Sequence, residues 1–112
     1  MYRQRDIVWT NFQLPSGEFK PHMAVIVSRD ELHEQTDTYY YVLISSKRYH
    51  DEYCYELTND MLLNMELDHT SQIVCHILSN CEYDTPFIRK CGQMKKAFFD
   101  ELLEKIKNDI FG

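Results

Sequence analysis

His22 and His76 are the side chains from which proton-transfer chemistry could be built in this sequence. Histidine alone among side chains has an unperturbed charge change near neutrality. One ring can therefore take a proton while a second gives one. His22 follows Pro21 at the mouth of the apolar run M-A-V-I-V-S, and His76 lies inside S-Q-I-V-C-H-I-L. Cations able to grip an anion stand nearby in the chain: Lys20 just before His22, and Lys47 with Arg48 after the run Y-Y-Y-V-L-I-S. Each has a plainer reading as well. His22 would be a solvated loop residue, His76 a satisfied strand residue, and the cations solubilising charges.

Other chemistries find less support. Cys54, Cys75, Cys81 and Cys91 form no C-x-x-C pair, the spacing that a zinc site usually needs. Cys75 and His76 are neighbours, and neighbours on a strand point to opposite faces. The start, M-Y-R-Q-R-D, has no apolar stretch of a secretory signal, so the expectation is a cytoplasmic protein with reduced thiols. No apolar run approaches the roughly 18 residues of a membrane span.

The net charge of −6 is uneven: residues 49–88 carry eight carboxylates and no lysine or arginine. A general nucleic-acid coat protein would be basic throughout. Nucleic acid could therefore be held only at a local patch drawn from Arg3, Arg5, Lys20, Arg29, Lys47, Arg48, Arg89 and Lys90.

The elements that would position these groups follow from hydrophobic period. Residues 6–12 alternate apolar and polar and predict a first strand. Residues 13–21 contain Pro15, Gly17 and Pro21 and predict a loop. Residues 23–28 predict a buried strand, and Ser28 with Glu31 predicts a capping box opening a turn or two of helix. Residues 39–45 are rich in β-formers and predict a strand. A short strand is expected over 53–57, either a short helix or a turn over 59–66, and a strand over 71–78. A loop or a short helical turn is expected over 80–86, then a short strand or bridge over 87–91 ended by Gly92.

From Met94 the period changes to three and four residues. Phe98, Phe99, Leu102, Leu103, Ile106 and Ile110 form one apolar stripe, predicting a helix packed on the sheet. The Trp9, Phe12 and Tyr39-Tyr40-Tyr41 aromatics could stack bases, but strand alternation lets only one or two of those tyrosines face outward. The whole, residues 1–112, is expected to be one domain of α+β class, mainly β: a small, strongly curved sheet, closed or nearly closed, with a C-terminal amphipathic helix.

Set in order, Arg5-Asp6-Ile7-Val8-Trp9, then Lys20-Pro21-His22-Met23-Ala24-Val25-Ile26-Val27-Ser28, the strand ending at Ser45 and Arg89-Lys90-Cys91-Gly92 before the last helix resemble the MazF/PemK family of toxin endoribonucleases. The resemblance covers nearly the whole chain. It implies an SH3-like barrel (the MazF/PemK/CcdB-like fold), a homodimer, and a cognate antitoxin protein as partner. It implies cleavage of single-stranded RNA without a metal or other cofactor, by attack of the ribose 2′-OH on the adjacent phosphate. The family's Thr or Ser at the end of the third strand falls on Ser45. Its Arg at the start of the second strand falls on His22, so here the pattern departs. Some members carry an Arg and an acid on a later strand, which fall on Val74 and His76.

The resemblance therefore implies His22, Ser45 and His76 as catalytic residues, with Lys20, Lys47 and Arg48 binding RNA. A histidine supplies proton transfer but not a permanent, bidentate cation. The alternative is a catalytically degraded barrel that binds protein or nucleic acid. A topoisomerase-inhibiting toxin of the CcdB type matches fewer of these residues.

Overall fold

The structure, a computed structural model, describes residues 2–47 and 51–112. Seven strands form one antiparallel sheet: β1 (Asp6–Gln13), β2 (Phe19–Ile26), β3 (Thr38–Ser45), β4 (Cys54–Leu57), β5 (Leu62–Leu63), β6 (Ser71–Glu82) and β7 (Phe87–Met94). Their spatial order is β4-β6-β3-β2-β1-β7-β5. A flat sheet of this order would place its edge strands about 29 Å apart. Yet Leu57, which ends β4, and Leu62, which opens β5, are joined through a single 3-10 turn, Asn59–Met61, which spans at most about 18 Å. The sheet must curl, and the barrel-like shape follows from that short link.

Strand alternation explains the continuous apolar runs. Ile7, Val25, Val42, Ile44 and Ile73 belong to one buried cluster; Val8, Ala24, Leu43 and Val74 belong to another. Successive residues point to opposite faces, so a run such as A-V-I must find cover on both. The second cluster is completed by Phe12, Tyr39, Tyr41 and Phe87. The first is covered by helix α2 (Lys96–Lys105), which continues as a wider π turn over Ile106–Ile110. Phe99, Leu102 and Ile106 are buried. Phe98 and Leu103, members of the predicted stripe, are half-buried and pack against the edge of that cluster. Tyr55 donates from its hydroxyl to Glu101 Oε1 (2.8 Å), tying β4 to the helix.

Several boundaries differ from the periodicity reading. Strand β2 begins at Phe19 and runs through Pro21, because residues 19–23 pair only with β1. Proline, which cannot donate, is tolerated where one strand side is an edge. Strand β6 extends to Glu82, since Asn80, Cys81 and Glu82 find partners in Tyr40, Tyr39 and Thr38. Strand β7 continues past Gly92, where a Cβ would overlap Met65 Cγ and stand 2.7 Å from Leu63 O. Glycine there lets β5 and the chain after it cross close over β7.

Ser28 does not cap helix α1 (Asp30–Thr36): the residue before the helix is Arg29, without a side-chain cap. Ser28 Oγ instead accepts the Tyr40 amide (2.9 Å) and bonds His33 Nε2 (2.6 Å). The His33 ring lies on Tyr39, 4.1 Å between centroids. Burial holds the His33 pKa below its ordinary value.

Asp6 anchors the N-terminus from a buried position. It accepts from the Arg3 amide (2.8 Å) and from Gln93 Nε2 (3.1 Å), and pairs with Lys90 Nζ at 3.2 Å. No helix among the described residues is long and apolar enough to cross a membrane.

Candidate functional site

The β2–β3 ladder runs from Ile26↔Tyr41 through Val25↔Val42 to Ala24↔Leu43 and stops there. Continued in the same register, His22 stands opposite Ser45. Both lie on the face of Ala24 and Leu43, two residues from each, as period two requires. On its other side His22 pairs with Thr10 of β1. The strands part where the ladder ends, and a cleft of about 390 Å³ opens between them.

One wall holds Lys20, Pro21, His22 and Met23; the other holds Ile44, Ser45, Ser46 and Lys47. Trp9 closes the side toward β1, and Leu67, Asp68 and His69 close the side toward β6. Lys20, His22, Ser45 and Lys47, all expected at the site from the sequence, come together here. His22 is half-buried, its ring edge toward Phe12 at 6.5 Å between centroids. Its Nδ1 lies 3.4 Å from the Lys20 carbonyl. A carbonyl only accepts, so this contact suits a hydrogen on Nδ1, and in the neutral ring Nε2 then carries the lone pair. Ser45 is buried, and its Oγ accepts the Lys47 amide at 3.1 Å. Lys20 and Lys47 are exposed, Lys20 with Glu18 Oε2 3.8 Å away.

His76 does not line this cleft. Between Val42↔Leu78 and Leu43↔Val74, strand β6 carries Cys75, His76 and Ile77 without counterparts in β3. This bulge turns His76 outward, with its ring 5.8 Å from that of Tyr53. Ser71, at the cleft, and His76 are separated by roughly 15 Å of extended strand. Arg48 lies outside the described residues. Of the aromatics named for stacking, Phe12, Tyr39 and Tyr41 are buried, Tyr40 is exposed, and Trp9 reaches the cleft.

The second histidine at the cleft is His69, which periodicity does not single out because residues 64–70 have no regular pattern. The loop is nevertheless pinned. Asn59 Oδ1 accepts the Leu67 amide (2.8 Å), and the Ser71 hydroxyl donates to the His69 carbonyl (3.1 Å). The thiols take no part in the cleft. Burial pushes Cys75 and Cys81 up to about 11, which keeps them protonated and unreactive.

Residues 3–109 match the family of PemK-like, MazF-like toxins of type II toxin–antitoxin systems. The chain belongs to that family. Among solved structures, the Mycobacterium tuberculosis toxin MazF-mt6 superposes with a TM-score of 0.74 at 14% identity, covering 96% of this chain and 97% of that one. A MazE–MazF complex from Deinococcus radiodurans gives 0.75 at 11% identity, covering 98% and 96%. An endoribonuclease in complex with its cognate antitoxin from a mycobacterial species gives 0.70 at 10%, covering 99% and 96%. At these identities the structural likeness speaks to the fold. No curated protein matches the chain in sequence. Ser45 and His22, the two positions that the resemblance implied, both line the cleft.

Proposed function

We propose that this PemK/MazF-family chain is an endoribonuclease toxin that cleaves single-stranded RNA and is held in check by a cognate antitoxin protein. One observation carries the reading: His22 and Ser45 stand across the mouth of one cleft, on the same face, with Lys20 and Lys47 on its walls. In the reaction, the ribose 2′-oxygen attacks the adjacent phosphorus, the bond to the 5′-oxygen breaks, and a cyclic phosphate and a free 5′-OH result. His22 Nε2 takes the 2′-OH proton, with Nδ1 toward the Lys20 carbonyl. The Ser45 hydroxyl donates toward a phosphoryl oxygen, and Lys20 and Lys47 offset the charge that grows there. Trp9 offers a face on which a base can stack.

A homodimer fits this reading, because one cleft of this size holds only a short stretch of RNA. Incubating the purified protein with a long, mixed-sequence RNA tests the proposal. Discrete fragments are expected. RNA left whole by the wild type across a wide pH range would leave the family fold serving as a binding module.

The lysines give a separate expectation. Each phosphate contact on a single strand contributes about 0.7 to the salt slope of binding. Lys47→Ala should therefore weaken RNA binding alike for all sequences and lower that slope by about 0.7, read by fluorescence anisotropy with salt varied. An unchanged slope would remove Lys47 from the phosphate path.

A further inference from the structure

RNA transesterification needs an acid for the leaving 5′-oxygen as well as a base. An alkoxide is too poor a leaving group to depart unprotonated at neutral pH. The Lys20 carbonyl beside His22 Nδ1 suits a neutral ring with its hydrogen there, which leaves Nε2 to act as the base. His76 is turned away on the β6 bulge beside Tyr53. Ser45 is a weak acid, and the lysines are fixed cations. Among the described residues that line the cleft with His22, His69 is the other side chain of a type that exchanges a proton near neutrality.

Its surroundings suit that work. The side chain is exposed, so solvent can protonate it again after each turnover. Its backbone is fixed from both sides by Asn59 and Ser71. We propose that His69 is the general acid, giving its proton to the departing 5′-oxygen while His22 takes the proton of the 2′-OH. The inference rests on the ribonuclease reading above. The balance closes: the 2′-O–P bond forms, the P–5′-O bond breaks, one proton goes to His22, and one comes from His69.

The test uses two short RNAs built around a cleavage site mapped first on long RNA. One has the normal linkage, and the other has sulfur in place of the bridging 5′-oxygen. A thiolate leaves without an acid, since thiols are far more acidic than alcohols. His69→Ala and His69→Gln should cut the oxygen linkage roughly 10²–10⁴-fold more slowly than wild type, yet cut the sulfur linkage nearly as fast. His22→Ala should remain slow on both.

Recovery on sulfur would also establish that the His69 variants are folded. Equal slowing on both linkages at an unchanged melting temperature, or no slowing at all, would overturn the acid role while the ribonuclease reading stands. A wild type that cuts neither RNA would overturn both.

Discussion

Replacing His22 with alanine should slow RNA cleavage by roughly 10²–10⁴-fold, the usual contribution of a positioned proton-transfer group. That is about 3–5 kcal/mol of lost transition-state stabilisation. The fold should hardly notice, because the ring is half-buried at the cleft mouth and its ring contact among the described residues is with Phe12, 6.5 Å between centroids. A half-exposed side chain outside the main clusters costs little to truncate. The effect should fall on turnover. It should also flatten the acidic side of the pH–rate profile, where a base must lose its proton before it can act. Single-turnover cleavage of wild type against His22→Ala, with thermal melts of both, separates the outcomes. Equal rates would show that the departure from the family's arginine has emptied this position of chemistry. A large drop in melting temperature would give the ring a structural role instead.

The largest effect on stability should come from Leu102→Ala. Leu102 is fully buried between α2 and the sheet, in the cluster with Ile7, Val25, Ile73 and Met94. Removing three of its carbons forfeits their transfer from water and leaves a cavity that rigid strands cannot close. Such changes cost about 2–5 kcal/mol. Urea denaturation should show a lower midpoint with an unchanged slope. An exposed neighbour on the same helix, Glu104→Ala, should stay within about 0.5 kcal/mol. A Leu102→Ala loss below about 1 kcal/mol would mean that the helix is not what seals this side of the sheet.

The residues that the sequence placed well share a cause. Period two and period 3.6 are strong signals, so the strands and the apolar stripe at Phe99, Leu102 and Ile106 were legible. The approach of His22 and Ser45 was legible too, because consecutive antiparallel strands must bring the start of one beside the end of the next. What failed depended on partners distant in sequence. Residues 80–82 look like a loop by composition but pair with Thr38, Tyr39 and Tyr40. The capping box at Ser28 lost to a competing acceptor role for the Tyr40 amide and a bond to His33.

His76 illustrates the same limit at the site. Its direction is set by the three-residue bulge of β6 against β3, which no single strand announces. His69 reached the cleft on a loop whose course is fixed by Asn59 and Ser71, and only the fold brings those together.

If the cleft between β2 and β3 cuts RNA with the chain's own side chains, the ends that the purified wild type leaves on a long, mixed-sequence RNA, incubated with a metal chelator, will carry the signature of that chemistry. The expected products carry a 2′,3′-cyclic phosphate on one side of each cut and a free 5′-hydroxyl on the other, at a rate unaffected by the chelator. RNA that stays intact, or fragments bearing a 5′-phosphate, would contradict the account.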